Sequence, residues 1–131
     1  MKKLAKKFPI HILITEDNLI NQKLMHDILA LQGYLCDAAT SGFEALSAVK
    51  KKKYDLILMD IQMPGMSGEE AMRNIHELLG KESPRIIAVT AYAMAEDREK
   101  YLNMGMDGYI SKPFRVNDLV TEIMRVMEVK K

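Results

Sequence analysis

Four places in this sequence carry side chains suited to metal or phosphoryl chemistry, and each closes a short apolar run. Glu16 and Asp17 follow Ile10-His11-Ile12-Leu13-Ile14, Asp60 follows Leu56-Ile57-Leu58-Met59, Thr90 follows Ile86-Ile87-Ala88-Val89, and Lys112 follows Tyr109-Ile110-Ser111. Three carboxylates in one crevice repel one another unless a cation or protons compensate them. The ligands on offer are all oxygens, with no His or Cys among them, which selects a hard ion. Mg2+ fits best, because it takes few protein carboxylates, keeps several waters and leaves room for a phosphoryl oxygen; Mn2+ is the natural substitute. Asp60 could then act as a nucleophile, as carboxylates do in aspartyl-phosphate chemistry. Lys112 and Thr90, at neighbouring strand ends, could hold further phosphoryl oxygens. No glycine-rich phosphate loop of the Walker type is present, so the phosphoryl group must come from another molecule.

The elements that must position these groups alternate in hydrophobic period. The runs at 10–14, 56–59 and 86–89 are too short for helices and rich in β-branched residues, so they read as buried strands. Tyr34 to Ala38 reads as a weaker strand and Tyr109-Ile110 as a short one. Between them lie helical stripes. Ile20, Leu24, Ile28 and Leu31 form the first, ended by Gly33. Phe43, Leu46 and Val49 form the second, capped by Thr40 or Ser41 with Glu44 near the capping-box position, and closed by Lys50 to Lys53 at the negative end of its dipole. Met72, Ile75 and Leu79 form the third, a helix from about Ala95 to Met104 the fourth, and Leu119, Ile123, Val126 and Met127 the fifth. Five strands alternating with five helices predict an α/β fold, a parallel sheet with helices on both faces. In such a sheet, function sits beyond the carboxyl ends of the strands, which is where Glu16, Asp17, Asp60, Thr90 and Lys112 fall.

The chain has 131 residues, with 19 basic and 18 acidic side chains and a net charge of +1, which fits one domain and argues against a nucleic-acid-coating protein. The single cysteine, Cys36, excludes an intramolecular disulfide and leaves almost no thiolate for a zinc site. No apolar run approaches the ~20 residues of a membrane span. The opening MKKLAKKFP carries positive charge with no apolar stretch behind it, so a cytoplasmic setting is expected. His11, His26 and His76 lie outside the strand-end cluster and read as structural or surface residues. Cys36 reads as a small buried hydrophobe and the 11 methionines as adaptable packing.

The segments ILITEDNLINQKL, LILMDIQMPGMSG, IIAVTAYA and GYISKPF resemble the receiver domain of two-component response regulators. The resemblance covers about residues 9 to 127, leaving a basic segment at 1–8 and a tail at 129–131, with the domain itself taken as 9–128. It implies a single flavodoxin-like (βα)5 domain with strand order 2-1-3-4-5. It also implies transfer of a phosphoryl group from a phosphohistidine to an aspartate with Mg2+. Asp60 resembles the phospho-acceptor, Asp17 the direct metal ligand, and Glu16 the acidic neighbour that holds metal-bound water. The backbone carbonyl of Gln62 would complete the coordination. Lys112 would pair with the phosphoryl group, Thr90 would donate its hydroxyl to it, and Tyr109 resembles the aromatic switch residue. Pro113 stands where the family carries a cis peptide after the lysine, and Gln62 and Tyr92 stand where the family tunes phosphate lifetime. The wording MDIQMPGMSG, with TAYAMAEDREKYLNMGMDGYISKPF, is similar to receivers of hybrid sensor histidine kinases, from which Ser67 departs where Asp is frequent.

The implied partners are a histidine kinase or a histidine phosphotransfer domain, approaching the first helix. No nucleic acid or membrane partner is implied, and the chain would be a monomer or a weak phosphorylation-dependent dimer. Its catalysis would be limited to promoting its own phosphorylation and dephosphorylation, with the fourth helix, fifth strand and fifth helix as the switching face. Two other functional classes fit these residues less well. A phosphohydrolase with an aspartyl-phosphate intermediate needs a second Asp two residues after the nucleophile, and position 62 is Gln. A flavodoxin-like FMN binder needs a Ser, Thr and Gly-rich loop after the first strand, where this chain has Glu16 and Asp17.

Overall fold

A computed structural model describes residues 6, 9–91, 95–112 and 115–128 of the chain, without the side chains of 95–97. Its strands are β1 (Ile12–Thr15), β2 (Asp37–Ala39), β3 (Leu56–Asp60), β4 (Arg85–Thr90) and β5 (Gly108–Ser111). Its helices are α1 (Leu19–Leu31), α2 (Gly42–Lys51), α3 (Gly68–Leu79), α4 (Ala95–Met104) and α5 (Val116–Glu128), with a 3-10 turn at Gly80–Glu82. All strand pairs are parallel and the order is β2-β1-β3-β4-β5. The chain steps from β1 out to the edge at β2, then reverses to β3 on the other side of β1. The crevice of an open α/β sheet forms at that reversal.

β1, β3 and β4 lie inside the sheet, so both faces of each must be apolar. Ile12, Ile14, Leu56, Leu58, Ile87 and Val89 point to one face, where Met25, Ile28 and Leu29 of α1 and Leu119, Ile123, Val126 and Met127 of α5 cover them. Leu13, Ile57, Met59, Ile86 and Ala88 point to the other, against Ala45 and Val49 of α2, Ala71, Met72 and Ile75 of α3, and Tyr101 of α4. Burying each large aliphatic side chain contributes about 1.5–3 kcal/mol, which fixes the strand register from both sides. No helix among the described residues is long and apolar enough to cross a membrane.

Helix starts follow local chemistry. Asn18 caps α1 through its side chain on Asn21 N–H, and Ser41 caps α2 on Glu44 N–H. Ser67, the departure from the hybrid-kinase wording, caps α3 in a reciprocal capping box with Glu70.

Three expectations need correction. The face of α1 is rotated: Met25, Ile28 and Leu29 are buried, whereas Ile20 is 81%, Leu24 53% and Leu31 69% exposed. The helix is apolar on more than one side, so spacing alone could not select the face that meets the sheet. Phe43 is likewise exposed, and Ala45 takes its place in the core. β2 starts at Asp37, later than Tyr34, leaving Cys36 half-buried ahead of the strand.

Candidate functional site

Three residues of the crevice are held by bonds that extend the strand ladders by one step. Glu16 N–H donates to Ala39 O (3.0 Å), Ile61 N–H to Val89 O (3.0 Å), and Lys112 N–H to Thr90 O (2.7 Å). The site therefore inherits the rigidity of the sheet, although its residues lie at or beyond the strand ends. Gln22 of α1 adds a clamp: its side-chain amide donates to the carbonyls of Glu16 (3.1 Å) and Ala39 (3.4 Å).

Beyond Asp60 the chain must return at once to start α3. Gly68 N–H donates to Ile61 O (3.0 Å), which closes the loop. A Cβ on Gly68 would collide with the Asp60 carbonyl oxygen and stand 2.9 Å from Ile61 Cα, so only glycine lets the helix start approach the Asp60 backbone this closely. Gln62 N–H donates to Asp60 Oδ1 (3.1 Å), which turns the Gln62 backbone against the carboxylate while its side chain stays exposed.

Glu16, Asp17 and Asp60 each bring a carboxylate oxygen to within 4.8 Å of the others. Glu16 and Asp60 are buried and Asp17 is exposed. Lys112 reaches between the two buried ones, 2.8 Å from Glu16 Oε1 and 3.5 Å from Asp60 Oδ2. The second Glu16 oxygen accepts from Asn18 N–H (3.1 Å). Burial, followed by the hydrogen bond to Glu16 and its negative charge, pushes the Asp60 carboxyl up to about 7, against the pull of Lys112 and the Gln62 N–H. Burial works against the charged form of Lys112, but the hydrogen bond to Glu16 and the charges of Asp60 and Glu16 outweigh it and raise its pKa.

With all three carboxylates ionised, one ammonium leaves two negative charges, which one divalent cation would compensate and which without it keep Asp60 hard to ionise; the donors are all oxygens. These residues fit Mg2+. Thr90 is fully buried at the end of β4, beside Ser111 in the β4–β5 register. Tyr109 lies one strand further out, its ring stacked on Tyr101 of α4 at 5.7 Å between centroids. The structure thus brings Glu16, Asp17, Asp60, Gln62 and Lys112 into one crevice and sets Thr90 and Tyr109 on the two strands beside it. Tyr92 and the Lys112–Pro113 peptide lie outside the described residues.

The family model described as the response regulator receiver domain matches residues 12–124. This chain belongs to that family. The receiver is 40% identical over 125 residues to hybrid signal transduction histidine kinase B of Dictyostelium discoideum, and covers 87% of its own length but 6% of that protein's. It is 38% identical over 119 residues to the signal transduction histidine-protein kinase BarA of Escherichia coli, of which it spans 13%. The chain is thus a small fraction of the length of these hybrid kinases and is homologous to their receiver segments. Among solved structures, the receiver domain of a sensor histidine kinase from Pseudomonas aeruginosa has a TM-score of 0.80 and 34% identity, covering 91% of this chain and 98% of that one. That neighbour holds a magnesium ion coordinated in its active-site cleft. The protein is therefore a receiver module of two-component phosphorelay signalling.

Three residues of the arrangement escaped sequence reasoning. Gln22 and Gly68 stand inside the segments that carry the resemblance, but neither type nor spacing pointed to the backbone atoms they meet. Glu122 did: a carboxylate inside the stripe Leu119, Ile123, Val126 is an anomaly, and it is buried in the structure.

Proposed function

We propose that this receiver takes a phosphoryl group from a phosphohistidine onto Asp60. An Asp60 oxygen forms the new P–O bond while the P–N bond breaks and its electron pair returns to the imidazole. Asp17, Asp60 and the Gln62 backbone carbonyl would hold Mg2+, with Mn2+ as a substitute, and Glu16 would hold water of its coordination shell. When bound, the ion supplies charge compensation for incoming phosphoryl oxygens. Lys112 pairs with the phosphoryl group once it is in place, and the Thr90 hydroxyl donates to it. The Tyr109 ring then turns inward, which remodels the surface of α4, β5 and α5. The same crevice promotes hydrolysis of the acyl phosphate, and the setting is cytoplasmic. The carrying observation is the convergence of Glu16, Asp17 and Asp60 on Lys112.

The partner is a histidine kinase or histidine phosphotransfer domain, presenting its phosphohistidine on a helical surface. The exposed Leu19, Ile20 and Leu24 of α1, next to the crevice residues Glu16 and Asp17, supply the apolar ground for it. Incubation with Mg2+ and a small acyl-phosphate donor, read by intact mass, tests the acceptor. An adduct on the wild type that is absent from Asp60→Asn is expected, and an undiminished adduct on the variant overturns the assignment.

A further inference from the structure

The two helical layers of this receiver are joined across the open edge of the sheet. α4 packs on the face covered by α2 and α3, whereas α5 packs with α1 on the other. Arg98 of α4 reaches around β5 to Glu122 of α5, with Nη2 at 3.3 and 3.5 Å from the two carboxylate oxygens. Glu122 also accepts from the backbone N–H of Tyr109 (2.8 Å) on β5, the edge strand. Arg125 grips the same carboxylate with two bonds, Nε to Oε1 (3.1 Å) and Nη2 to Oε2 (2.9 Å), and donates to the Asp107 carbonyl (2.9 Å). Gly108 makes the approach possible: a Cβ there would stand 2.7 Å from Glu122 Oε2 and 2.8 Å from Val126 Cγ2.

The arms of this cluster differ in strength. Arg125 is bidentate and anchored to the backbone, so it holds Glu122 firmly. Arg98 is longer in reach and its side chain is 42% exposed, where ion pairs are weak and readily exchanged for water. A groove of about 400 Å3 beside Arg98, Ser111, Asp118 and Thr121 leaves room for the guanidinium to depart. Tyr101, on the same helix as Arg98, is the residue on which the Tyr109 ring rests.

We infer that Glu122 is a positioning residue for the switch: it pins Tyr109 and, through the releasable arm of Arg98, keeps α4 and Tyr101 in the arrangement in which the Tyr109 ring rests on Tyr101. Activation requires this clasp to yield. The inference rests on the switch described under Proposed function, because it assigns the clasp to the inactive arrangement of that switch. Losing the Arg98 arm lowers the free energy needed to leave that arrangement, so the active population rises before any phosphoryl group is present.

The test compares the full chain with Arg98→Ala and Arg98→Lys by NMR, first without and then with beryllofluoride and Mg2+. Arg98 is half-exposed, so Arg98→Ala retains the fold; a folded spectrum verifies this. Without beryllofluoride, Arg98→Ala should weaken the Tyr101–Tyr109 ring contact and speed amide exchange at Tyr109, and Arg98→Lys should restore both in part. With it, half-saturation should fall about threefold, which a purely structural role for Arg98 would not produce. An unchanged ring contact and amide exchange in Arg98→Ala overturns the clasp, as does an increased beryllofluoride requirement. A wild type blind to beryllofluoride instead overturns the Asp60 reading, and the ring contact and exchange measured without it still decide the clasp.

Discussion

Lys112 is closer to Glu16 than to Asp60, 2.8 Å against 3.5 Å. In this arrangement the ammonium is held chiefly by the carboxylate that is not the proposed acceptor. A phosphoryl group on Asp60 would add oxygens within its reach and draw it from Glu16. Lys112→Ala should lower stability in metal-free buffer by about 1–3 kcal/mol, since it leaves two buried carboxylates without their cation. It should also retain Mg2+ binding, because it removes positive charge from the crevice. Urea denaturation in EDTA and a calorimetric Mg2+ titration check the pair. A variant as stable as wild type in EDTA would show that the ion pair adds nothing.

Asp60→Asn should do the opposite to stability. Burial and the neighbouring Glu16 make an ionised Asp60 costly, and Asn keeps an acceptor for the Gln62 N–H without the charge. In EDTA at neutral pH the variant should gain on the order of 1–2 kcal/mol. It should also lose most of the stabilisation that Mg2+ confers on the wild type, because one of the proposed ligands is gone. Thermal melts with and without Mg2+ measure both effects.

Asp17 separates metal binding from packing. It is the exposed member of the acidic cluster, so Asp17→Ala should leave stability in EDTA within about 0.5 kcal/mol of wild type. Because Asp17 is a proposed direct ligand, its loss should nevertheless cost at least the roughly 10- to 100-fold in Mg2+ affinity that loss of an outer-shell partner costs. The chain has no tryptophan, so amide chemical shifts or calorimetry are the suitable readouts. Equal affinity in wild type and variant would place the ion elsewhere.

The two sides of α1 should behave differently. Met25 is 1% exposed, and Met25→Ala should cost about 2–5 kcal/mol through the cavity it leaves. Leu24, its neighbour in sequence, is 53% exposed, and Leu24→Ser should be nearly neutral for stability. If α1 is where the partner docks, Leu24→Ser should slow phosphotransfer from a histidine phosphotransfer domain. Phosphorylation by a small donor should stay unchanged. Equal slowing with both donors would place the effect in the crevice itself.

These contrasts also show where sequence reasoning stopped. The strand runs and the polar residues that end them were legible because a parallel sheet buried on both faces permits few other patterns, and its crevice must lie at the strand ends. The rotation of α1 was not, because Leu19, Ile20, Leu24, Met25, Ile28, Leu29 and Leu31 offer more than one apolar stripe at helical spacing. Which stripe meets the sheet depends on the direction of approach of the helix, a tertiary property. The same limit hid Gln22 and Gly68, whose roles consist of reaching backbone atoms distant in sequence or lying close against them. Glu122 differs, since a carboxylate on the α5 core stripe demands buried partners, and Arg125 three residues on supplies one.

Glu122 also gives the receiver a pH signature outside the acidic crevice. Burial raises its pKa, but the hydrogen bonds from Arg125 and the Tyr109 N–H, with the charges of Arg125 and Arg98, outweigh this and hold it below the usual carboxylate range. The acidic groups nearby are Asp118, which lines the adjoining groove, and Asp107, whose side chain is engaged by Arg85 (3.5 Å) and the Ile86 N–H (2.9 Å). A carboxylate with a lowered folded-state pKa stabilises the protein fully above its unfolded value, about 4.3 for Glu, and loses that contribution as pH falls through the folded value. Glu122→Gln lacks this titration and leaves the two arginines without their anion. The stability difference between wild type and variant should therefore be positive and flat above about pH 5, then shrink as acid is added. Urea denaturation of both proteins in EDTA, from about pH 7 down to about pH 3.5, measures that difference while the other carboxylates cancel between them. A difference that stays constant across the range would mean that Glu122 is not ionised in the clasp, and the charge-based account of its grip on Arg98 and Arg125 would fail.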